Sequence, residues 1–164
     1  IVTGVQTCAL PIYYEKYEPA NKVSYSEFQR YLDYTYPSKN YSFERDIAPK
    51  MKEMAAAIIK ANYLTIDHRR HANNFEIFGL DFMIDRDFRP WLIEVNTNPC
   101  LELCCPLLAR LIPAMLDNAL RICLDPLFPP PENWPPNRRP FFDEPLAENR
   151  FQLVFDEEIG RAHV

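Results

Sequence analysis

Two patterns of apolar residues predict an α+β domain in which an antiparallel β-hairpin packs against helices. The runs 75–84 and 91–95 are rich in β-branched and aromatic residues, and turn-forming residues separate them at 85–90. On either side, over 43–64 and 106–124, apolar residues recur at helical spacing. The chain has 164 residues, of which 48% are hydrophobic, and is therefore long enough to bury the core of one domain.

The charge and the residue composition exclude several classes of function. The net charge is −5, so we expect no basic face for nucleic acid or for anionic lipid. The longest apolar stretch, 101–124, is interrupted by four charged residues and two prolines, and we do not expect it to span a membrane. The 3 glycines form no glycine-rich phosphate loop. The 5 cysteines match no zinc-binding pattern, which favours free thiols in a reducing compartment.

Both ends of the chain lack the sequence features of a folded protein. Residues 1–12 show no hydrophobic period, cap or turn signal, and they resemble the translation of a sequencing adapter. Residues 158–164 resemble the opposite adapter strand. We therefore expect two adapter-derived ends, a folded part over 13–125 and a proline-rich tail over 126–157.

Two helices are predicted before the hairpin. Ser24 and Glu27 have the spacing of a capping box, which predicts a short helix that ends near Tyr34. The second helix spans 43–64 and tolerates Pro49 because this proline lies near its first turn. Its spacing predicts one buried stripe with a single polar member: Ile47, Met51, Met54, Ala55, Ile58 and Asn62.

A third helix and a tail are predicted after the hairpin. The helix covers 106–124, and we expect Pro113 to kink it or restart it. Its apolar face is predicted to contain Leu107, Leu111, Met115, Ala119, Ile122 and Cys123. The proline-rich stretch after 125 predicts extended polyproline structure, and 151–155 could form one last strand.

The hairpin register decides which polar side chains meet. A turn centred between residues 87 and 88 predicts three pairs: Asp81 with Glu94, Gly79 with Asn96, and Met83 with Leu92. Because side chains alternate along a strand, Asp81, Glu94 and Asn96 then share one face. The opposite face is predicted to be apolar and to pack on a helix: Leu80, Phe82, Ile84, Ile93 and Val95.

Two carboxylates on opposite strands predict a metal site. Asp81 and Glu94 would repel each other and lose solvation, and a divalent cation removes that conflict. A small set of oxygen ligands suits Mg²⁺ that is completed by substrate phosphates. We expect Gly79 to leave open space for a ligand beside the ion. The alternative is a pair of solvated acids on a one-sided sheet, and the predicted apolar neighbours Met83 and Leu92 argue against it.

The hairpin motifs resemble a known family. FGLDFMID at 78–85 and WLIEVNTNP at 91–99 closely resemble the motifs of the tubulin–tyrosine ligase-like family, and the resemblance extends over 13–124. It implies the ATP-grasp fold, of which this chain would hold an incomplete C-terminal part. It also implies that three residues hold Mg²⁺ on the phosphates of ATP: Asp81, Glu94 and Asn96.

The resemblance also implies an activity. Family members use ATP and Mg²⁺ to join tyrosine, glutamate or glycine to a carboxylate of tubulin or a related protein, through an acyl-phosphate. The implied partners are tubulin or microtubules and a free amino acid, and the implied location is the cytoplasmic cytoskeleton, including the cilium or basal body. We assign no catalytic base or nucleophile, and we expect the nucleotide-binding lysines outside this chain, so the fragment alone should be inactive.

Two alternatives remain open. A catalytically dead ligase domain could serve as a microtubule-binding module, although the intact Asp81, Glu94 and Asn96 argue against it. An ATP-grasp ligase for a small molecule is the other alternative, and the sequence around Glu94 argues against that one.

Overall fold

One antiparallel hairpin lies between helices in the computed structural model, which describes residues 22–69, 74–129, 131 and 149–156. The predicted α+β class is therefore confirmed. In chain order the elements are helix α1 (Tyr25–Thr35), a 3-10 turn (Pro37–Lys39), a π turn (Phe43–Ile47), helix α2 (Ala48–Ile66), strands β1 (Gly79–Ile84) and β2 (Pro90–Asn96), and helix α3 (Pro106–Cys123). The predicted adapter-derived ends, 1–12 and 158–164, lie outside the described residues.

Helix α1 begins with the predicted capping box. The backbone N–H of Ser24 donates to Glu27 Oε2 at 2.7 Å, and the backbone N–H of Glu27 donates to Ser24 Oγ at 3.3 Å. These bonds satisfy two of the amide groups that a helix start leaves without partners. The hydrogen bond from the Ser24 backbone, followed by that from its hydroxyl, lowers the pKa of Glu27. The helix ends at Thr35, one residue beyond the predicted end.

The second predicted helix begins as a π turn and continues as α2. The backbone N–H of Ser42 donates to Asp46 Oδ2 at 2.8 Å, and this hydrogen bond caps the start of the π turn. Ile47, Met51 and Ala55 are buried, as the stripe predicted, whereas Met54 and Ile58 are only partly buried. Asn62 is exposed, so its place in the buried stripe was wrong. Its amide donates to the backbone oxygen of Ile58 at 2.9 Å and needs no partner in the core.

The core joins the tip of the hairpin to the first two helical segments. Its buried cluster consists of Leu32, Phe43, Ile47, Met51 and Phe88. Phe88 comes from the hairpin turn and is only 6% exposed. Its ring lies 5.1 Å from that of Tyr36 and 4.4 Å from that of Tyr41, between ring centroids. Phe88 therefore anchors the turn in an aromatic pocket.

Helix α3 is continuous through Pro113, so of the kink or restart expected there, the restart does not occur. Pro113 is exposed, where loss of one backbone hydrogen bond is tolerated. Met115 and Ala119 are buried as predicted, but the third buried residue is Ile112, and the predicted Ile122 is 41% exposed. The buried face is therefore rotated toward Ile112. Among the described residues, no helix is long and apolar enough to cross a membrane.

The segment 149–156 packs on helices and forms no strand, so the strand expected at 151–155 is wrong. The rings of Phe155 and Tyr63 lie 5.3 Å apart, and the Asn149 amide donates to the backbone oxygen of Asn118 at 3.0 Å. These contacts tie the segment to both α2 and α3, and it pairs with neither strand of the hairpin. Most of the predicted polyproline stretch, 132–148, lies outside the described residues.

We expect Phe88→Ala to lower the free energy of unfolding by about 3–5 kcal/mol, the usual cost of removing a buried phenylalanine ring. Alanine, unlike glycine, keeps a Cβ atom on the left-handed backbone of residue 88 (φ 58°), so the loss reports mainly the packing of the ring. Chemical denaturation measures it. Phe128→Ala is the control, because Phe128 is 73% exposed and should change stability little. Equal losses in the two variants would contradict the anchoring role of Phe88.

Candidate metal centre

The hairpin brings the predicted acid pair together. β1 and β2 are antiparallel, and Asp81 lies opposite Glu94. Gly79 lies opposite Asn96, which confirms the predicted register at the open end of the hairpin. Asp81, Glu94 and Asn96 therefore share one face, as the alternation along the strands predicted.

The register changes by one residue immediately beyond the acid pair. Between Asp81 and Phe82 the pairing shifts, so that β2 contains one extra residue, Ile93. The pairs closer to the turn are Phe82 with Leu92, Met83 with Trp91, and Ile84 with Pro90. The predicted pairing of Met83 with Leu92 is therefore wrong.

The turn explains the shift. The backbone N–H of Asp85 donates to the oxygen of Arg89 at 3.0 Å and so closes the turn. The register that this turn sets differs by one residue from the register at the open end. Continued without interruption, this register would place Glu94 opposite Leu80, on the face away from Asp81. The extra residue Ile93 reverses the alternation of β2 and returns Glu94 to the face of Asp81.

The face that was predicted to be uniformly apolar and packed on a helix is buried only in part. Phe82 and Ile84 pack against the core as expected. Ile93 is 57% exposed and Val95 is 38% exposed, so those two residues are not buried against a helix as the core-side residues are. Leu92, expected beside the acids, pairs with Phe82 on the core side.

One amide links the two carboxylates. Asn96 Nδ2 donates to Asp81 Oδ2 at 3.1 Å and to Glu94 Oε1 at 3.0 Å. Burial raises the pKa of Asp81, and the neighbouring Glu94 adds to that rise through a hydrogen bond and through its charge. The pKa of Glu94 is lowered, first by the hydrogen bond from Asn96 and then by that from Asp81. The carboxyl that holds a proton most readily is thus Asp81.

The donor set fits a divalent cation. Among the described residues, no lysine, arginine or histidine forms an ion pair with Asp81 or Glu94. The charge that acts on Asp81 is that of Glu94, which repels it. Two facing carboxylates are hard ligands, and the third is the oxygen of the Asn96 amide, whose NH₂ group here faces both carboxylates. This small number suits Mg²⁺, which keeps further positions for water and phosphate.

Gly79 is needed for close packing. The open space that the sequence predicted beside it is filled. A Cβ atom at residue 79 would lie 2.9 Å from the Cβ of Pro99 and 3.7 Å from that of Asn96. The loop after β2 therefore folds back onto β1 at this point. Gly79 lets that loop approach, and through it supports Asn96.

The carboxylate of Asp85 accepts a set of hydrogen bonds in the turn that the sequence analysis did not predict. Asp85 Oδ1 accepts hydrogen bonds from the backbone N–H groups of Asp87 and Arg89, each at 2.9 Å. Asp85 Oδ2 accepts the indole N–H of Trp91 at 3.0 Å. An aspartate at the start of a turn commonly bonds to the backbone two residues later, and that signal was available in the sequence. The hydrogen bond from Trp91 could not be predicted from the sequence, because it depends on the hairpin register.

Comparison with known proteins identifies the family. Residues 12–132 match the Tubulin-tyrosine ligase family, and the chain belongs to it. The chain is 35% identical to the human protein monoglycylase TTLL8 over 79 residues, which is 48% of this chain and 9% of that protein. It is 31% identical to tubulin glycylase 3B of Tetrahymena thermophila over 103 residues, or 63% of this chain and 8% of that protein. It is 37% identical to tubulin glycylase 3A of Drosophila melanogaster over 79 residues, or 48% of this chain and 8% of that protein. The chain thus spans less than a tenth of the length of these relatives.

We expect Gly79→Ala to lower the free energy of unfolding by about 1–3 kcal/mol, the usual cost of overpacking. The added methyl group would push Pro99 away from β1, and alanine would otherwise be the better residue in a strand. Chemical denaturation of the variant measures the loss. Adding Pro99→Gly removes the atom that the methyl group meets, so the double variant should lose less than Gly79→Ala and Pro99→Gly together. Strictly additive losses would contradict the contact.

Proposed function

We propose that the full-length protein containing this chain is an ATP-dependent ligase that joins glycine to a carboxylate of tubulin or a related protein. The observation that carries the proposal is the pairing of Asp81 with Glu94, bridged by Asn96, in a member of the Tubulin-tyrosine ligase family. In the proposed reaction, ATP transfers a phosphoryl group to the acceptor carboxylate and ADP leaves. The amine of glycine then attacks the carbonyl carbon, and phosphate leaves as the amide bond forms.

The site would contribute to this reaction by holding Mg²⁺ with Asp81, Glu94 and Asn96. When bound, the ion neutralises charge on the phosphates of ATP. The residues of this chain provide position: Asn96 orients both carboxylates, and Phe88 holds the hairpin to the core. We assign no base or nucleophile to the chain, and the ATP-grasp architecture is part of the proposal.

The choice of glycine rests on the relatives. Of the three amino acids that the family resemblance implied, glycine is the one named in the relatives reported above, a monoglycylase and two glycylases. Two of those names also specify tubulin, which supports tubulin as acceptor. A location on the cytoskeleton agrees with that acceptor, and the cilium or basal body is the place within it that the proposal includes. The 164-residue chain alone should be inactive, since we expect the lysines that bind the nucleotide to lie outside it.

We expect Glu94→Gln in the full-length protein to reduce the rate of ligation about 100-fold or more. Loss of one charged or polar group from a preorganised site commonly lowers the rate of an enzyme by this factor. The substitution keeps the shape of the side chain and the strand, but it removes an anionic ligand. Incorporation of labelled glycine, glutamate and tyrosine into purified tubulin measures the effect, and glycine should be the amino acid incorporated.

The matched control is Glu53→Gln, the same chemical change at an exposed position of α2. It should leave incorporation unchanged, and thermal melting should show that both variants are folded. Near wild-type incorporation by folded Glu94→Gln would refute the ligand role of Glu94. A wild-type protein that incorporates no amino acid but binds microtubules would favour the catalytically dead module.

A further inference from the structure

Residues 149–156 lie beyond the family match, which ends at residue 132, and yet they contact two helices inside it. At one end of this segment, the Asn149 amide donates to the backbone oxygen of Asn118 in α3 at 3.0 Å. Near the other end, the centroid of the Phe155 ring lies 5.3 Å from that of Tyr63 in α2. The segment therefore bridges α3 and α2.

The segment has a defined conformation of its own. Asn149 Oδ1 accepts the backbone N–H of Phe151 at 3.0 Å, the bond that an asparagine commonly makes to the residue two positions later in a turn. The same side chain thus binds α3 through its NH₂ group and orients the segment through its oxygen. Beyond this turn, Phe151, Val154 and Phe155 are half-buried, whereas Leu153 is 75% exposed. One side of the segment is therefore covered and the other faces solvent.

The segment follows the direction of α2. Lys52 Nζ, from the first half of α2, donates to Gln152 Oε1, and Tyr63, near the end of α2, contacts Phe155. Lys52 and Tyr63 are about 16 Å apart along the helix axis, at 1.5 Å per residue. Gln152 and Phe155 are close in sequence, so the segment reaches both partners because it is extended, without helix or strand, over 151–156.

Helix α3 needs a hold of this kind. Its buried residues Ile112, Met115 and Ala119 do not belong to the buried cluster that joins the hairpin to the first two helical segments. Within the described part of the chain, the backbone of α3 approaches the other elements less extensively than α2 approaches β2. The contacts of 149–156 therefore supply a connection between α3 and α2 that the helices do not make by close backbone packing.

We propose that residues 149–156, here called the strap, are an integral part of the folded domain and hold α3 on α2. Residues 132–148 connect the strap to the matched region, so its docking is intramolecular and needs only a few contacts. The loop that begins after Asn96 and packs on Gly79 leads into α3. The strap thus fixes the helix at which the loop beyond the candidate metal site ends.

Phe155→Ala in the full-length protein tests the strap by amide hydrogen exchange, which requires no turnover. Exchange in α3 around 112–119 should become about tenfold faster, since a half-buried ring and its aromatic contact are removed and local opening becomes easier. Exchange in α1 (Tyr25–Thr35) should stay unchanged, because α1 packs in the separate buried cluster. Leu153→Ala is the matched control within the strap, and this exposed position should leave both helices unchanged.

A double variant and a peptide test whether the strap acts through its contacts. Combined with Tyr63→Ala, Phe155→Ala should accelerate exchange in α3 by less than the product of the two single effects, because both changes remove one ring contact. A variant in which a glycine–serine segment of equal length replaces 149–156 should also exchange faster in α3. A synthetic peptide of residues 148–157, added at concentrations on the order of millimolar, should slow that exchange again.

Unchanged exchange in α3 of folded Phe155→Ala would overturn the proposal. Equal acceleration in α1 and α3 would also overturn it, since that result indicates a general loss of stability, and so would a Leu153→Ala variant that behaves like Phe155→Ala. If Phe155→Ala does not fold, Asn149→Ala decides the question in its place, because it removes the hydrogen bond to α3 and leaves the ring.

Discussion

The extra residue in β2 is the constraint on which the candidate site depends. A two-stranded hairpin has one register at its turn, and that register carries Glu94 to the face away from Asp81. Ile93 is one extra residue in β2, and it reverses which face the following side chains occupy. The reversal falls between the core residues and the acid pair. The same strand can then place Leu92 opposite the core residue Phe82 and Glu94 opposite Asp81. A bulge next to a functional site re-aims side chains in this way without any change to the remaining fold.

The bulge is useful only if the rest of the hairpin is held firmly. Phe88 provides that hold from the core side, where its ring packs between those of Tyr36 and Tyr41. The backbone of Phe88 is left-handed, with φ 58°, a conformation that is costly for a bulky residue. Burial of the ring offsets that cost. A strained residue inside an aromatic pocket is thus the physical link between the helical core and the tip of the hairpin.

At the open end, the acid pair is held by contacts of a different kind. Asn96 bridges the two carboxylates, and Gly79 allows the following loop to approach at Pro99. Among the described residues no cation balances the pair, which distinguishes it from a structural ion pair such as that of Arg121 with Asp117. Uncompensated charge between facing carboxylates is unfavourable in the absence of a ligand, and such conflicts are typical of sites that bind one. The membership of the chain in a ligase family agrees with this interpretation.

The sequence by itself determined the main elements and which residues form the candidate site. Within the described residues, the capping box, the helical spacing and the two β-rich runs predicted helices α1, α2 and α3 and both strands of the hairpin, since these signals depend on neighbours within a few residues. It also identified Asp81, Glu94 and Asn96 as sharing a face, although the simple register that led to them holds only at the open end of the hairpin.

Only the tertiary structure decided the bulge at Ile93, the filled space beside Gly79 and the contact of Trp91 with Asp85. It also decided that Asn62 faces solvent and that 149–156 packs on helices. Each of these features depends on which surface a side chain meets after the elements have packed. Periodicity specifies the faces of an element, but the neighbour that covers each face is set by contacts between residues far apart in the chain.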